Sequence, residues 1–155
     1  MVRQKVKIRP LDQAQVTAAY PLARLLVPNL DLETWRRFVA QIAAASPAEE
    51  RGILIAVGEG GYLCGLVVYR IGHDLRHGRV LNADHVIGID IVDRGSVAGA
   101  LLAALEELSE SLGCEAVQTG IDAPQESLEA VWLDAGHSIE KTLLTKRAQG
   151  GGRVP

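Results

Sequence analysis

The stretch Ile89–Gly113, I-D-I-V-D-R-G-S-V-A-G-A-L-L-A-A-L-E-E-L-S-E-S-L-G, reads as the end of a strand, a short turn containing glycine, and a helix. The strand end, Val86–Val92, is mostly branched apolar residues with no helical period. In the helix, Val97, Ala98, Leu101, Leu102, Leu105, Leu108 and Leu112 recur at i, i+4, i+8 spacing on one face. Gly113 stands where a left-handed C-cap belongs. A strand that turns through glycine into a helix leaves backbone N–H groups without intrahelical partners. With the helix dipole behind them, those groups favour an anion, phosphate above all. Arg94 and Gly95 add a guanidinium fork and an unhindered backbone beside them.

Working outward, Lys5–Arg9 alternates charged and apolar residues as a half-exposed strand stopped by Pro10. Helical spacing follows from Asp12 to Pro28, and a second helix starts after Asp31, a fitting N-cap. Gly52–Gly58 and Tyr62–Ile71 form a hairpin around Glu59-Gly60-Gly61. Gly72–Gly78 reads as a polar loop and Arg79–Val92 as the long strand that delivers the chain to the turn at Arg94. Beyond the long helix come a strand at Cys114–Ile121, a short helix from Pro124 to Gly136 and a last strand at Ser138–Lys146. The order is β-α-α-β-β-β-α-β-α-β, an α/β (α+β) chain with a central mixed, mostly antiparallel sheet flanked by helices. Its length suits one domain, residues 1–147, followed by a flexible glycine-rich tail over 148–155.

The segment Arg94-Gly95-Ser96-Val97-Ala98-Gly99-Ala100, followed by Leu101-Leu102, resembles the R-x-x-G-x-G/A loop and helix start of GNAT N-acetyltransferases. Ser127–His137, S-L-E-A-V-W-L-D-A-G-H, is similar to that family's A-x-x-L-Y-E-K-x-G-F helix. The element order agrees from about residue 5 to 147. The resemblance implies acetyl-CoA, or another acyl-CoA, as co-substrate. Its pyrophosphate would lie on Val92, Arg94, Gly95, Ser96, Val97, Ala98, Gly99 and Ala100, its pantetheine arm along the backbone of Ile89 and Ile91, and Gln125 would face it from the last helix. Two positions depart from the family pattern. Val97 replaces the first glycine of the loop, where a branched side chain would hinder close approach of a phosphate, and Trp132 replaces the tyrosine that meets the leaving thiolate.

Acetyl transfer to an amine also needs a group that takes a proton, and the candidates are Asp84 and His85. On a regular strand only one of two adjacent residues faces a given side. Tyr20 and Trp35 would border an acceptor pocket. His73, Asp74, His77 and Asp84 carry metal-ligand chemistry, but the histidines are bracketed by Gly72 and Gly78 in a loop, and no metal is expected.

A net charge of −3 and a pI near 5.8 leave no electrostatic footprint for nucleic acid. No apolar run reaches the roughly 18 residues that a membrane span needs, and the first residues lack the apolar core of a signal peptide. Cys64 and Cys114 stand apart in apolar runs, as reduced thiols of a cytoplasmic protein do. The expectation is a cytoplasmic acetyl-CoA-dependent transferase acting on a small-molecule or protein amine, with a homodimer as its assembly. Two rivals remain open: an acyl-CoA-binding protein of the same fold without turnover, and an α/β module for another phosphorylated ligand.

Overall fold

The computed structural model describes residues 5–46, 50–90, 95–122 and 125–148. Five strands form one sheet in the order of the chain: β1 Lys7–Pro10, β2 Arg51–Val57, β3 Leu63–Asp74, β4 Gly78–Gly88 and β5 Ala116–Thr119. The first four pair antiparallel in sequence, and β5 alone runs parallel to its neighbour β4. A parallel pair cannot be joined by a tight turn. The crossover here is α3, Ser96–Ser111, the helix whose apolar face was legible in the sequence.

The other helices are α1 Val16–Leu26, α2 Leu32–Ala43 and α4 Glu126–Asp134. The Asp31 carboxylate accepts the Thr34 N–H at 2.7 Å and so starts α2. This bond holds Asp31 below the usual carboxylate range. Alternation along the strands divides the apolar residues between two cores. Ile53, Ile55, Leu66, Val68 and Ile87 face α1 and α2, whereas Ala56, Val67, Leu81, Ala83 and Val86 face α3 and α4.

Two sequence expectations are corrected. Gly72–Gly78 is mostly strand rather than loop, since β3 runs to Asp74 and β4 starts at Gly78, with His73 opposite Arg79. The last strand, Ser138–Lys146, is not formed. Residues 137–148 have no regular secondary structure, and Ile139, Leu143 and Leu144 are 77%, 85% and 87% exposed. Alternation belongs to one segment, but a strand needs a partner edge, and among the described residues this segment hydrogen-bonds to none. Glu140 ties it instead to the β3–β4 turn, its carboxylate 2.9 Å from His77 Nε2 and 3.3 Å from Arg76 Nη1. The expected tail lies outside the described residues apart from Ala148.

Candidate active site

β4 and β5 pair over only four residues, from Val80 opposite Ala116 to Ala83 opposite Thr119. β4 then continues to Gly88 while the other strand leaves, which opens a seam at the sheet edge. Ile89 donates its N–H to the Cys64 carbonyl at 2.8 Å, opposite Cys64 in register with the Leu66–Ile87 pair. Backbone N–H and C=O groups of successive residues point to opposite sides of a strand. The N–H and C=O groups of Ile87 and Ile89 therefore face β3, and those of Val86 and Gly88 face the seam. One of these is occupied: the Gln125 side-chain amide donates to the Val86 carbonyl at 3.0 Å and to the Asp122 carbonyl at 3.3 Å.

At the seam's inner end β4 carries a bulge. Val68 is opposite His85 and Tyr69 is opposite Ala83, so Asp84 is the extra residue. The bulge cancels the alternation expected for Asp84 and His85. Asp84 accepts a hydrogen bond from Arg70 Nε at 2.8 Å, and Arg70 follows Val68 by one alternation, on the α1–α2 face. His85 lines an apolar cavity on that same face with Leu66, Val68 and Trp35. Its Nδ1 lies 3.7 Å from a carboxylate oxygen of Asp122, which reaches in from the chain after β5. That chain comes close because residue 120 is glycine: a Cβ there would sit 3.3 Å from the Asp84 carbonyl oxygen. Its N–H donates to the Ala83 carbonyl at 2.9 Å.

At the seam's outer end α3 begins on Gly95, which takes a left-handed conformation (φ 87°) that favours glycine. The Asp90 carboxylate accepts the Val97 N–H at 2.7 Å and lies 3.4 Å from the Ser96 hydroxyl. A carboxylate of the chain itself thus satisfies one of the N–H groups foreseen for phosphate. The Val97 side chain is 0% exposed and turns into the core, where its Cγ1 fills the hollow above two glycines. A Cβ would meet that carbon at 3.1 Å from Gly65 and at 3.2 Å from Gly88. The expected hindrance of phosphate by this branched side chain is therefore corrected. Ala98 also faces the core, while a Cβ added to Gly99 would meet nothing within 4 Å, so among the described residues nothing covers that side of the helix start.

Trp132 is 3% exposed, and its indole N–H donates to the Thr119 hydroxyl at 2.8 Å. Its donor is spent inside the fold. Cys64 is buried, and burial first, then the nearby Asp90 charge, pushes its thiol up, which keeps it in the inert thiol form. Among the described residues no group of three or more His, Cys, Asp and Glu side chains is placed to hold a metal ion.

Of the residues singled out in the sequence, Asp84, His85, Gly95–Ala100 and Gln125 lie around this seam. The backbone N–H of Ile89, expected along the arm, is instead taken by the Cys64 carbonyl of the neighbouring strand, so that expectation is corrected and Gly88 is the residue whose backbone faces the seam. Ile91, Val92 and Arg94 lie outside the described residues. Sequence reasoning missed Asp122 and Arg70, whereas for Asp90 it offered a cap or a pair with Arg94, and the bond from the Val97 N–H is of the first kind. Asp122 carries no local signal, because only the divergence of β5 brings it to His85. Tyr20 and Trp35 spend their polar atoms on the Leu30 and Val16 carbonyls, at 2.6 and 2.7 Å.

No family model matches the chain, and no curated protein matches it in sequence. Solved structures match it in shape. An aminoglycoside N-acetyltransferase in complex with CoA aligns with a TM-score of 0.75 at 16% identity, over 96% of this chain and 98% of the other. The ribosomal-protein-alanine N-acetyltransferase from Brucella melitensis gives 0.72 at 17% identity, over 93% of this chain and 100% of the other. A GNAT family acetyltransferase from Staphylococcus aureus gives 0.68 at 15% identity, over 92% and 98%. The fold expected from the resemblance, that of the GNAT acetyltransferases, is the observed one.

Proposed function

We propose that this chain is an acyl-CoA-dependent N-acetyltransferase that moves an acetyl group from acetyl-CoA to an amine, of a small molecule or of a protein. The observation that carries this reading is the bulge at Asp84. It turns His85 towards a cavity on the α1–α2 face while Asp122 holds the other side of the ring at the mouth of an open seam. The matched structures, one with CoA and two more acetyltransferases, support the same reading.

Acetyl-CoA supplies an activated acyl group and a thiolate leaving group. The helix start around Gly99 would take the pyrophosphate, with Arg94, one residue before Gly95 in the sequence, as the expected cation, and the backbone of Gly88 would align the extended arm in the seam. His85 is the better proton acceptor of the two candidates, because Asp84 is held by Arg70. With the Asp122 carboxylate 3.7 Å from Nδ1, Nε2 is left to receive the proton that the amine gives up. Trp132 does not serve the leaving group, since its N–H is committed to Thr119. That last fact favours the second reading, an acyl-CoA-binding protein without turnover. The reading also places the protein in the cytoplasm, as a homodimer. Support for the dimer comes from Ile139, Leu143 and Leu144, apolar and exposed on a segment next to β5, which lies at the sheet edge.

Calorimetric titration with acetyl-CoA and with CoA tests the binding half. Micromolar binding that is lost in Arg94→Ala and weakened in Gly99→Val is expected. Thiol release with an amine panel tests turnover, and His85→Ala should abolish it while binding persists. Binding without thiol release for any amine selects the second reading; no binding at millimolar acetyl-CoA rejects both.

A further inference from the structure

We infer that the acceptor is a primary amine carrying a compact apolar group, a phenyl ring or a short branched alkyl chain, seated in a slot between α1, α2 and the sheet. This rests on the acetyltransferase reading above and names its substrate class. The slot has a volume of about 130 Å³, with Leu66 and Val68 as its floor and Leu26, Leu30 and Phe38 among its walls. An enclosed cavity of about 150 Å³ with such a lining takes up benzene, and this slot, open at its mouth, offers comparable room to an apolar group. The aromatic residues of the lining, Trp35 and Phe38, offer no polar handle, because the Trp35 indole N–H is spent on the Val16 carbonyl. Thr34 and His85 are the polar residues in the lining. A sugar ring or a polyamine placed here would bury hydroxyl or ammonium groups without enough partners, which is strongly unfavourable.

The mouth has the opposite character. His85 faces the slot, and behind it stand the carboxylates of Asp122, 3.7 Å from Nδ1, and of Asp84, paired with Arg70. An ammonium at the mouth meets net negative charge while its apolar substituent enters the slot. The arrangement therefore selects a molecule with one cationic head and one dry tail, and it places the head beside the group that accepts its proton.

The test compares phenethylamine and isopentylamine with ethanolamine, spermidine and an aminoglycoside. Each is measured for binding to the free protein by ligand-observed NMR and for thiol release in the presence of acetyl-CoA. The apolar amines are expected to bind without acetyl-CoA and to exceed the polar ones in kcat/KM by about 10-fold or more, the scale on which apolar pockets discriminate. Phe38→Ala, which widens the slot, is expected to shift the preference towards a naphthyl amine. Acetyl-CoA turnover with the polar amines equal or ahead would overturn the inference and leave the acetyltransferase reading standing. Absence of acetyl-CoA binding would overturn both. If Phe38→Ala does not fold, the NMR measurement on the unaltered protein still decides: no contact between phenethylamine and the protein at millimolar concentration sinks the slot.

Discussion

Asp90 reaches across seven residues to the start of α3 and accepts the Val97 N–H at 2.7 Å. The carboxylate stabilises the helix end in the free protein, and it places a negative charge where the proposed ligand brings its own. Asp90→Asn keeps an oxygen acceptor and removes the charge. Titration calorimetry should show CoA binding several-fold tighter in this variant, and Asp90→Ala should lose about 1 kcal/mol of stability in urea. Weaker CoA binding in Asp90→Asn would show that the charge does not oppose the ligand.

Restoring a glycine at position 97 should harm the fold without helping the ligand. Val97 fills the hollow above Gly65 and Gly88, so Val97→Gly removes a buried side chain and adds backbone freedom to a helix. The expected loss is about 3 kcal/mol in chemical denaturation, with CoA affinity not improved. Tighter binding in this variant would mean that the side chain does reach the ligand.

Trp132→Phe separates a packing residue from a proton donor. Deleting the bond to Thr119 and part of the ring should cost about 2 kcal/mol of stability. Turnover should fall far less than the ~100-fold that removal of a positioned acid costs. A fall of that size with an intact fold would place the indole in the chemistry.

The segment after α4 should detach in acid. The hydrogen bond from His77, the largest cause, holds Glu140 below the usual glutamate range, with further attraction from His77 and Arg76. A carboxylate with a depressed pKa contributes its stability above the ordinary value and loses it as pH falls through the depressed one. Backbone 15N relaxation across residues 137–148 should show the segment becoming more mobile as pH falls through that window, and Glu140→Gln should show the higher mobility already at neutral pH. Equal mobility in the two proteins at neutral pH would show that this contact does not hold the segment.

Leu143→Asp with Leu144→Asp should leave the chain folded, since both side chains are exposed within it, and should convert the proposed dimer to a monomer in light scattering. An unaltered protein that is already monomeric at micromolar concentration refutes the dimer directly.

The long helix was readable because its core contacts recur with the helical period: Val97, Ala98, Leu101, Leu102 and Leu105 are all buried. Its C-terminal glycine also behaves as expected, with Gly113 at φ 70°. The relation between Asp84 and His85 was not readable, because a bulge depends on how two strands share residues and leaves no mark in either one alone. Val97 misled for a related reason. A motif position states which residue is usual, whereas the direction of its side chain depends on the bare backbone at Gly65 and Gly88, distant in sequence. The segment Ser138–Lys146 has a strand's pattern without a strand's partner within the described residues.

The seam between β4 and β5 has a consequence for solubility. Where the two strands part, no described strand pairs with the outward backbone of β4 from Val86 onward, and an unpaired sheet edge is the kind of surface on which chains aggregate. The amide of Gln125 covers the Val86 carbonyl and so blunts that edge with a single side chain. A side chain in that position guards the opening against promiscuous strand addition, yet it can be displaced at the cost of one hydrogen bond.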